Sequence, residues 1–266
     1  MTTKLAAVQQ IAAQLGLTRP IALETGQATE AGKIESILDE TNARMQQRGI
    51  GCNTYRSYAL PVPLVKIVVS GGAGTFTFGE TVTESVSGAT GTFNRIESGS
   101  IYLARVSGTF AGGQTLTGGT SGATRTGGTY TLQTSSKIGI PSSWLFVGPS
   151  NSSSFALTTQ GVFLFNTTDS TLLFTSDQTV TVIDLLAFDS LPFHWAEAVV
   201  WRAAVDAQRS FKRSTTDESV LTQQAIRAYA EAINLDSAAT APNVFANTDS
   251  LRGLGILTTN RDIRYV

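Results

Sequence analysis

The sequence predicts an α+β fold in which a helical bundle of about four helices packs with an antiparallel β region. An inserted all-β repeat domain and an extended C-terminal arm are expected in addition. Three features of the 266-residue chain predict this fold. Apolar residues recur at helical spacing towards both ends. Short alternating segments separated by Gly, Ser and Thr turns fill the middle. The last residues follow neither pattern. We therefore expect a body at 1–62 and 130–235, an insertion at 63–129 and an arm at 236–266.

Two helices are expected in the N-terminal part of the body. Residues 3–15 carry apolar side chains at helical spacing, and Gly16 can adopt the left-handed conformation that ends a helix. Residues 30–48 carry a second apolar stripe. Thr29 is the candidate N-cap of this helix, and Gly49 ends it.

The middle of the chain contains an internal repeat. Residues 74–83 resemble residues 108–117, and residues 87–90 match residues 121–124, at a constant offset of 34 residues (74 to 108). Two copies are too few for a solenoid. They are typical of a small β-module in which each copy contributes a strand, a glycine turn and a returning strand.

The surroundings of the repeat predict two further properties. The glycine-rich runs at 71–74 and 127–128 are expected to act as hinges into and out of the insertion. Unpaired edge strands of the insertion are expected to be available for pairing with a neighbouring protein.

Strands and helices are predicted again after the insertion. Buried strands are expected at 144–147, 161–165 and 180–183. The clearest helix pattern of the chain covers residues 190–212, and the next helix covers residues 217–234.

The helix at 190–212 has three notable features. Ser190 is its candidate N-cap, and its apolar residues cover a wider arc than one packing face needs. Arg202 and Asp206 are four residues apart and predict an ion pair along the helix.

The composition favours a protein that contacts other proteins. Apolar residues make up 41% of the chain and charged residues only 15%, whereas about 25% charged residues is usual for a soluble domain. The net charge of −1 gives no overall field that would attract nucleic acid or a membrane surface. The chain has no run of 18 apolar residues and no apolar N-terminal core, so neither a membrane span nor a signal peptide is expected.

The residues that common catalytic and metal sites require do not come together in the sequence. The one histidine, His194, lies in the first turn of the clearest helix, and no G-x-S-x-G motif accompanies it. With Cys52 as the one cysteine, a zinc site of clustered ligands is not expected. The sequence therefore predicts a protein that is not an enzyme and has no catalytic residue, cofactor or metal.

Two glutamates in the first repeat form a possible carboxylate pair. Glu80 and Glu84 are replaced by Gln114 and Gly118 in the second copy. This replacement favours a solvated strand face over the paired carboxylates of a glycosidase.

Short segments at several joints of the chain form a pattern of their own. They are Ala7-Val8, Ile11, Leu15-Gly16, Pro20-Ile21, Gln46 to Thr54, Gly161 to Asn166, Leu191-Pro192, Arg202 to Ala204 and Phe211. Together they resemble the tail tubular protein A family, the head-to-tail adaptor of short-tailed bacteriophages. The resemblance covers roughly residues 4–62 and 130–245. Ile50 and Cys52 stand where the family usually has aromatic residues, and Phe165 stands for a tyrosine.

The resemblance implies a dodecameric ring in the virion, between the portal protein and the tail nozzle protein. The ring would be assembled in the host cytoplasm, and genomic DNA would pass through its lumen without sequence-specific binding. The expected ring-interface residues are Trp195, Trp201, Arg202, Val205 and Phe211.

The family's C-terminal segment reaches into the portal, which implies that residues 236–266 form a portal-docking arm. Spaced apolar anchors suit docking into grooves between subunits. The expected anchors of the arm are Val244, Phe245, Leu251, Leu254, Ile256, Leu257, Arg261 and Arg264. The insertion is expected to make an accessory contact with a tail fibre, the nozzle or neighbouring subunits.

Three other functions stay open on the sequence alone. A receptor- or carbohydrate-binding module would need an aromatic platform, and the repeats contain Phe and Tyr but no Trp. A tail hydrolase would need a convergent pair of acids. A stopper or joining protein of a long tail would differ in ring size and partner.

Overall fold

The computed structural model describes residues 3–150, 156–211 and 215–240, which form four α-helices and eleven strands. By internal contacts the chain divides after Cys52 and again after Leu185 into a helical unit and a β unit. The helices are α1 (Lys4–Gln14), α2 (Glu30–Gln46), α3 (Phe193–Ser210) and α4 (Thr215–Thr240). The strands are β1 (Thr54–Leu60), β2 (Val65–Ser70), β3 (Thr81–Glu84), β4 (Thr90–Glu97), β5 (Ser100–Ser107), β6 (Thr115–Gly118), β7 (Thr124–Leu132), β8 (Trp144–Pro149), β9 (Leu157–Gln160), β10 (Phe163–Asn166) and β11 (Gln178–Asp184). The mixed α+β class is confirmed.

The two N-terminal helices begin within one residue of the prediction, and α2 ends at Gln46, two residues earlier than predicted. The side chain of Thr3 accepts a hydrogen bond from the amide of Ala6 at the start of α1, and that of Thr29 accepts one from Gly32 at the start of α2. Gly16 has a φ of 67° after α1, in the left-handed region. Side-chain capping is worth about 1 kcal/mol per helix.

Helix α3 is the centre of the helical unit. It packs against α1, α2 and α4, and small residues on its surface allow the neighbouring helices to approach closely. Ala198, Ala203, Ala204 and Ala207 are each completely buried. Side chains from all four helices form one continuous hydrophobic core.

Both ends of the α3–α4 hairpin differ from the prediction. Ser190 does not cap α3: it ends a 3-10 turn at Phe188–Ser190, and Pro192 occupies the N-cap position without a side-chain cap. Helix α4 does not stop at residue 234 but continues to Thr240. The carboxylate of Asp236 accepts a hydrogen bond from the amide of Gly51 and so holds the last turns against the unit.

Part of the β unit consists of two small antiparallel sheets. Their strand orders are β1-β11-β8 and β10-β9. The predicted strands at 144–147 and 180–183 are confirmed as β8 and β11, whereas Gly161 starts a turn and the third strand begins at Phe163. A separate hydrophobic core that includes Leu60, Ile138 and Leu164 lies in this part of the unit.

The remaining six strands close into a barrel with the order β2-β5-β4-β3-β6-β7. All six strand pairs are antiparallel, including the closing pair of β2 with β7. A closed barrel leaves no edge strand unpaired. The expectation that this region offers edge strands to a neighbour is therefore wrong.

The barrel has an approximate two-fold symmetry that follows the offset of 34 residues. Exchanging β2 with β5, β3 with β6 and β4 with β7 leaves the order of strands unchanged. Gly74 lies against Ala123, where an added Cβ would be 3.1 Å from the Cα, and Gly108 lies against Ala89 at 3.2 Å. Each copy therefore packs its glycine against the alanine of the other copy.

The glycine-rich runs belong to the barrel and are not hinges. At Gly72 an added Cβ would lie 2.0 Å from the carbonyl oxygen of Thr124, so a side chain does not fit there. Gly127 and Gly128 lie inside β7. The absent side chain of Gly127 makes room for Leu116. These glycines are required by close packing.

Glu80 and Glu84 are buried, so the expectation of a solvated strand face is wrong. They are 6% and 2% exposed. Glu84 accepts hydrogen bonds from the hydroxyl of Ser87 and from the amide of Ala111 at 2.9 Å. Glu80 accepts the equivalent pair, from the hydroxyl of Ser121 at 2.8 Å and the amide of Thr77 at 2.6 Å.

Each half of the barrel thus contains one buried carboxylate that accepts hydrogen bonds from equivalent positions, although both glutamates belong to the first copy. The counterpart of Glu84 in the second copy is Gly118, and an added Cβ there would meet the carboxylate of Glu80 at 2.6 Å. Glu80 fills the space that Gly118 leaves. Each carboxylate joins the first copy to the second, because each accepts donors from both.

The barrel is fastened to the rest of the β unit through β4. The side chain of Asn94 accepts a hydrogen bond from the amide of Gly139 at 2.8 Å. The guanidinium of Arg95 donates to the carbonyl of Lys137 and lies 3.7 Å from the centre of the Tyr102 ring. Buried hydrogen bonds of this kind fix an orientation, because breaking one leaves a polar group without a partner.

Replacing Glu80 by Gln should lower the free energy of unfolding by about 2–3 kcal/mol at neutral pH. The two carboxylate oxygens of Glu80 accept hydrogen bonds from several donors, whereas an amide has only one acceptor oxygen. Burial opposes ionisation of Glu80, but the donors of Ser121, Thr77 and Thr120 outweigh it and hold its pKa below the ordinary value of 4.5. The ionised group therefore stabilises the fold above that value, and the stabilisation is lost as the pH falls through the lowered pKa.

Urea unfolding followed by circular dichroism measures the effect. The difference between the two proteins should be full at neutral pH and shrink below about pH 4. Glu40→Gln removes the same charge from an exposed position of α2 and serves as control. Equal destabilisation by both substitutions, or a difference that does not change with pH, would show that Glu80 does not hold the barrel together.

Candidate interaction surfaces

The five expected ring-interface residues divide into two groups. Trp195 and Val205 are buried in the core of the helical unit, at 4% and 0% exposure. Trp201, Arg202 and Phe211 are partly exposed. A contact of these residues with a second copy stays a prediction.

The wide apolar arc of α3 has an explanation within the chain. Three helices pack around α3, and together they cover more of its surface than a single partner helix would. Trp195 stacks edge-on against Tyr229 of α4, with ring centres 5.9 Å apart. The width of the arc alone therefore does not require a second copy.

The exposed side of α3 carries a small cluster of charges. Asp206 pairs with Arg202 at 3.5 Å, which confirms the predicted ion pair along the helix. It also pairs with Arg44 of α2. Both arginine side chains are about half exposed, so these pairs add at most about 1 kcal/mol to stability. Two arginines share one aspartate, which leaves the cluster with excess positive charge.

A shallow groove between α2, α3 and α4 extends this cluster. Its volume is about 200 Å³. Arg48 lies at one side of it and donates a hydrogen bond to the hydroxyl of Tyr229 at 2.9 Å. Ile226 lines the groove and is 64% exposed. Arginine beside exposed aliphatic and aromatic side chains is a common composition of protein interfaces.

The β unit contains a second concave surface, of about 570 Å³, which the sequence did not reveal. Four aromatic side chains line it, together with Asp184. We call it the aromatic pocket. The aromatic residues of the repeats do not by themselves predict this pocket, because it combines one of them, Phe78, with aromatic residues from outside the repeats. Its aromatic residues are Tyr55, Tyr58, Phe78 and Trp144.

His194 and Cys52, the one histidine and the one cysteine of the sequence, both belong to the helical unit. His194 is 6.4 Å from Trp195, ring centre to ring centre. Cys52 is a free, exposed cysteine. Among residues 3–150, 156–211 and 215–240, no group of three His, Cys, Asp or Glu side chains is placed to hold a metal ion. Within the same residues, no helix has the length and hydrophobicity that a membrane crossing needs.

All eight expected arm residues, from Val244 to Arg264, lie outside the described residues. The portal-docking role therefore stays a prediction. Residues 236–240, which were expected to belong to the arm, are the last residues of α4.

Two substitutions in α3 should have different effects on stability, because one changes its buried side and the other its exposed side. Val205→Asp places a charge at a fully buried position and should lower the free energy of unfolding by more than about 3 kcal/mol. Arg202→Glu changes a partly exposed side chain and should cost less than about 1 kcal/mol. Thermal unfolding followed by circular dichroism measures both. Similar melting temperatures for the two variants would contradict the position of α3 in the core.

Comparison with known families adds one match. Residues 126–241 match the family model Tube, described as tail tubular protein. The matched region is somewhat less than half of the chain. It runs from β7 through strands β8 to β11 to the end of α4. No curated protein matches the chain. The tail tubular proteins are structural and not enzymatic. The match supports a place in the phage tail tubular protein family, as a structural protein of the virion tail.

Proposed function

We propose that the chain is the head-to-tail adaptor, or connector, of a short-tailed bacteriophage. Twelve copies form a ring between the portal protein and the tail nozzle protein, and the genomic DNA passes through the lumen. The observation that carries this proposal is the match of residues 126–241 to the tail tubular proteins, because that region contains α3, α4 and the strands that precede them. The resemblance of residues 4–62 to the same family supports it.

A ring requires a heterologous contact in which one surface of a copy fits a different surface of the next. The groove of the helical unit suits one side of that contact. It combines the positive cluster of Arg44 and Arg202 with the exposed Ile226. In this proposal Trp201, Arg202 and Phe211 touch the neighbouring copy, while Trp195 and Val205 hold α3 in position from inside.

The low charge of the chain suits a passage for DNA. Each phosphate contact made by lysine or arginine adds salt-dependent adhesion, and adhesion would slow a genome that has to slide. The net charge of −1 over 266 residues avoids such adhesion. The contact with DNA in this proposal is therefore not sequence-specific.

The portal-docking arm is assigned to residues 241–266, because α4 continues to Thr240. The spaced apolar residues of this segment suit insertion into grooves between portal subunits. Its expected anchors include Phe245, Leu251 and Ile256.

The barrel is assigned an accessory contact with a tail fibre, the nozzle or a neighbouring adaptor. Since the barrel is closed, this contact uses side chains on its outer surface and not strand pairing. Val68 and Leu132 on the neighbouring strands β2 and β7 are 51% and 71% exposed, and Tyr130 of β7 is 39% exposed. Exposed apolar side chains grouped in this way mark contact surfaces.

Deleting residues 241–266 should abolish binding to the portal in a pull-down with purified portal protein. The truncation keeps all of α4, including the contact of Asp236 with Gly51, so the helical unit should retain its circular dichroism spectrum and melting temperature. A truncated protein that is folded and still binds the portal would reject the docking role.

Replacing Arg202 by Glu should reduce ring formation severalfold, because it reverses a charge in the groove while leaving the fold intact. Mass photometry of the purified protein, alone and mixed with portal, measures the fraction of rings. Arg19→Glu makes the same charge change at an exposed position in the loop after α1 and is the control. Rings that form equally well in both variants would remove Arg202 from the interface.

A further inference from the structure

The aromatic pocket of the β unit is built by a row of four rings. Tyr55 contacts Tyr58 at a centre-to-centre distance of 6.4 Å, Tyr58 contacts Trp144 at 5.2 Å, and Trp144 contacts Phe78 at 5.6 Å. The angles between successive ring planes are 68°, 80° and 71°. Because each ring stands nearly upright on the next, ring faces and ring edges alternate along the wall of the pocket. Tyr55 is 46% exposed, so the row reaches the surface.

Asp184 adds a carboxylate to this pocket, at the end of β11. Its backbone is fixed by Asn53, since the amide of Asp184 donates to the carbonyl of Asn53 at 3.0 Å and its carbonyl accepts from the Asn53 side chain at 3.0 Å. The Oδ1 atom of Asp184 is buried and has no hydrogen-bond partner in the described chain. No ion pair to Asp184 exists within residues 3–150, 156–211 and 215–240, and no basic side chain lines the pocket.

This combination of groups favours a cation as the ligand. A carboxylate that is partly removed from water and has no counter-ion is unfavourable, and a bound cation would offset that cost. The faces of tyrosine and tryptophan rings attract cations as well. A neutral sugar would leave the charge of Asp184 uncompensated. The hydroxyls of the pocket belong to Tyr55, Tyr58, Thr77, Ser142 and Ser143. These neutral groups would not balance that charge.

Among the cations of proteins, a guanidinium fits this pocket better than an ammonium. It is planar, stacks on aromatic rings and donates several hydrogen bonds in one plane. The same β unit already contains such an arrangement. The guanidinium of Arg95 lies 3.7 Å from the centre of the Tyr102 ring and pairs with Glu97 at 3.2 Å.

We propose that the aromatic pocket binds an alkylguanidinium group, presented by an arginine side chain of a protein partner. The rings of Trp144 and Tyr58 would contact the planar group, and Asp184 would accept its hydrogen bonds. The pocket thereby gives the β unit a specific contact with a second polypeptide. This inference does not depend on the ring, since the pocket lies within one β unit.

Isothermal titration calorimetry of the full-length protein tests the proposal with the peptide acetyl-Gly-Arg-Gly-amide. The matched peptide with citrulline in place of arginine has nearly the same shape but no charge. We expect saturable binding of the arginine peptide in the millimolar range and at least about tenfold weaker binding of the citrulline peptide. Binding should weaken as the salt concentration rises. No saturable heat up to roughly 20 mM, or equal binding of both peptides, would overturn the proposal.

Asp184→Asn should weaken binding of the arginine peptide at least about fivefold. The substitution should leave the melting temperature unchanged, because Asn has the same shape and the Asp184 side chain has no hydrogen bond to lose at Oδ1. Glu40→Gln, an exposed loss of the same charge in the helical unit, should bind like the unchanged protein. Unchanged affinity of Asp184→Asn would overturn the role of this carboxylate.

Two further titrations identify the source of the ligand. Ethylguanidinium should bind at least about threefold more weakly than the arginine peptide if a polypeptide is the natural partner. Equal affinity would overturn the protein partner and assign the pocket to free cations. Saturable heat from a mixture of neutral oligosaccharides, with none from the arginine peptide, would assign the pocket to a glycan and reject the proposal.

Discussion

The fold of the helical unit depends on the burial of α3 by helices on several sides. This helix is apolar around most of its circumference, and α1, α2 and α4 together bury it. Two of these helices precede the β unit in sequence and one follows it, so the core forms only when both ends of the chain come together. Gln46 holds the chain where it re-enters the helical unit at Leu186. Its side chain donates a hydrogen bond to the carbonyl of Leu186 and accepts one from the backbone amide of Leu186. The long β segment between Cys52 and Leu186 therefore starts and ends at one fixed place.

The duplicated barrel shows what an internal repeat can and cannot predict. The offset of 34 residues identified two equivalent halves with equivalent turns. It did not predict closure, because closure depends on the pairing of β2 with β7 and of β3 with β6, which are far apart in sequence. An alignment of the two copies also does not show that the carboxylate of Glu80 fills the space beside Gly118, because Glu80 is aligned with Gln114. Local patterns predict elements, whereas long-range contacts decide which polar groups are buried.

The same distinction applies to the candidate sites. The ion pair of Arg202 with Asp206 was predictable, because residues four apart on a helix are neighbours whatever the fold. The length of α4 was underestimated, because its last turns are held by a contact of Asp236 with Gly51. The aromatic pocket was not predictable at all, since Tyr58, Phe78 and Trp144 meet only after the barrel and the β1-β11-β8 sheet have packed in one unit. The low share of charged residues predicted a chain that contacts other proteins, and the family match at residues 126–241 supports the same general class.

The family match, the exposed groove beside α3 and the low charge all agree with a subunit that works as part of a larger assembly. Electron microscopy of the purified protein mixed with a portal protein is the decisive experiment for this proposed assembly. We expect a ring of twelve copies attached to the portal, with an open channel along the axis. A monomer that does not bind the portal, or an assembly of different symmetry without a central channel, would contradict it.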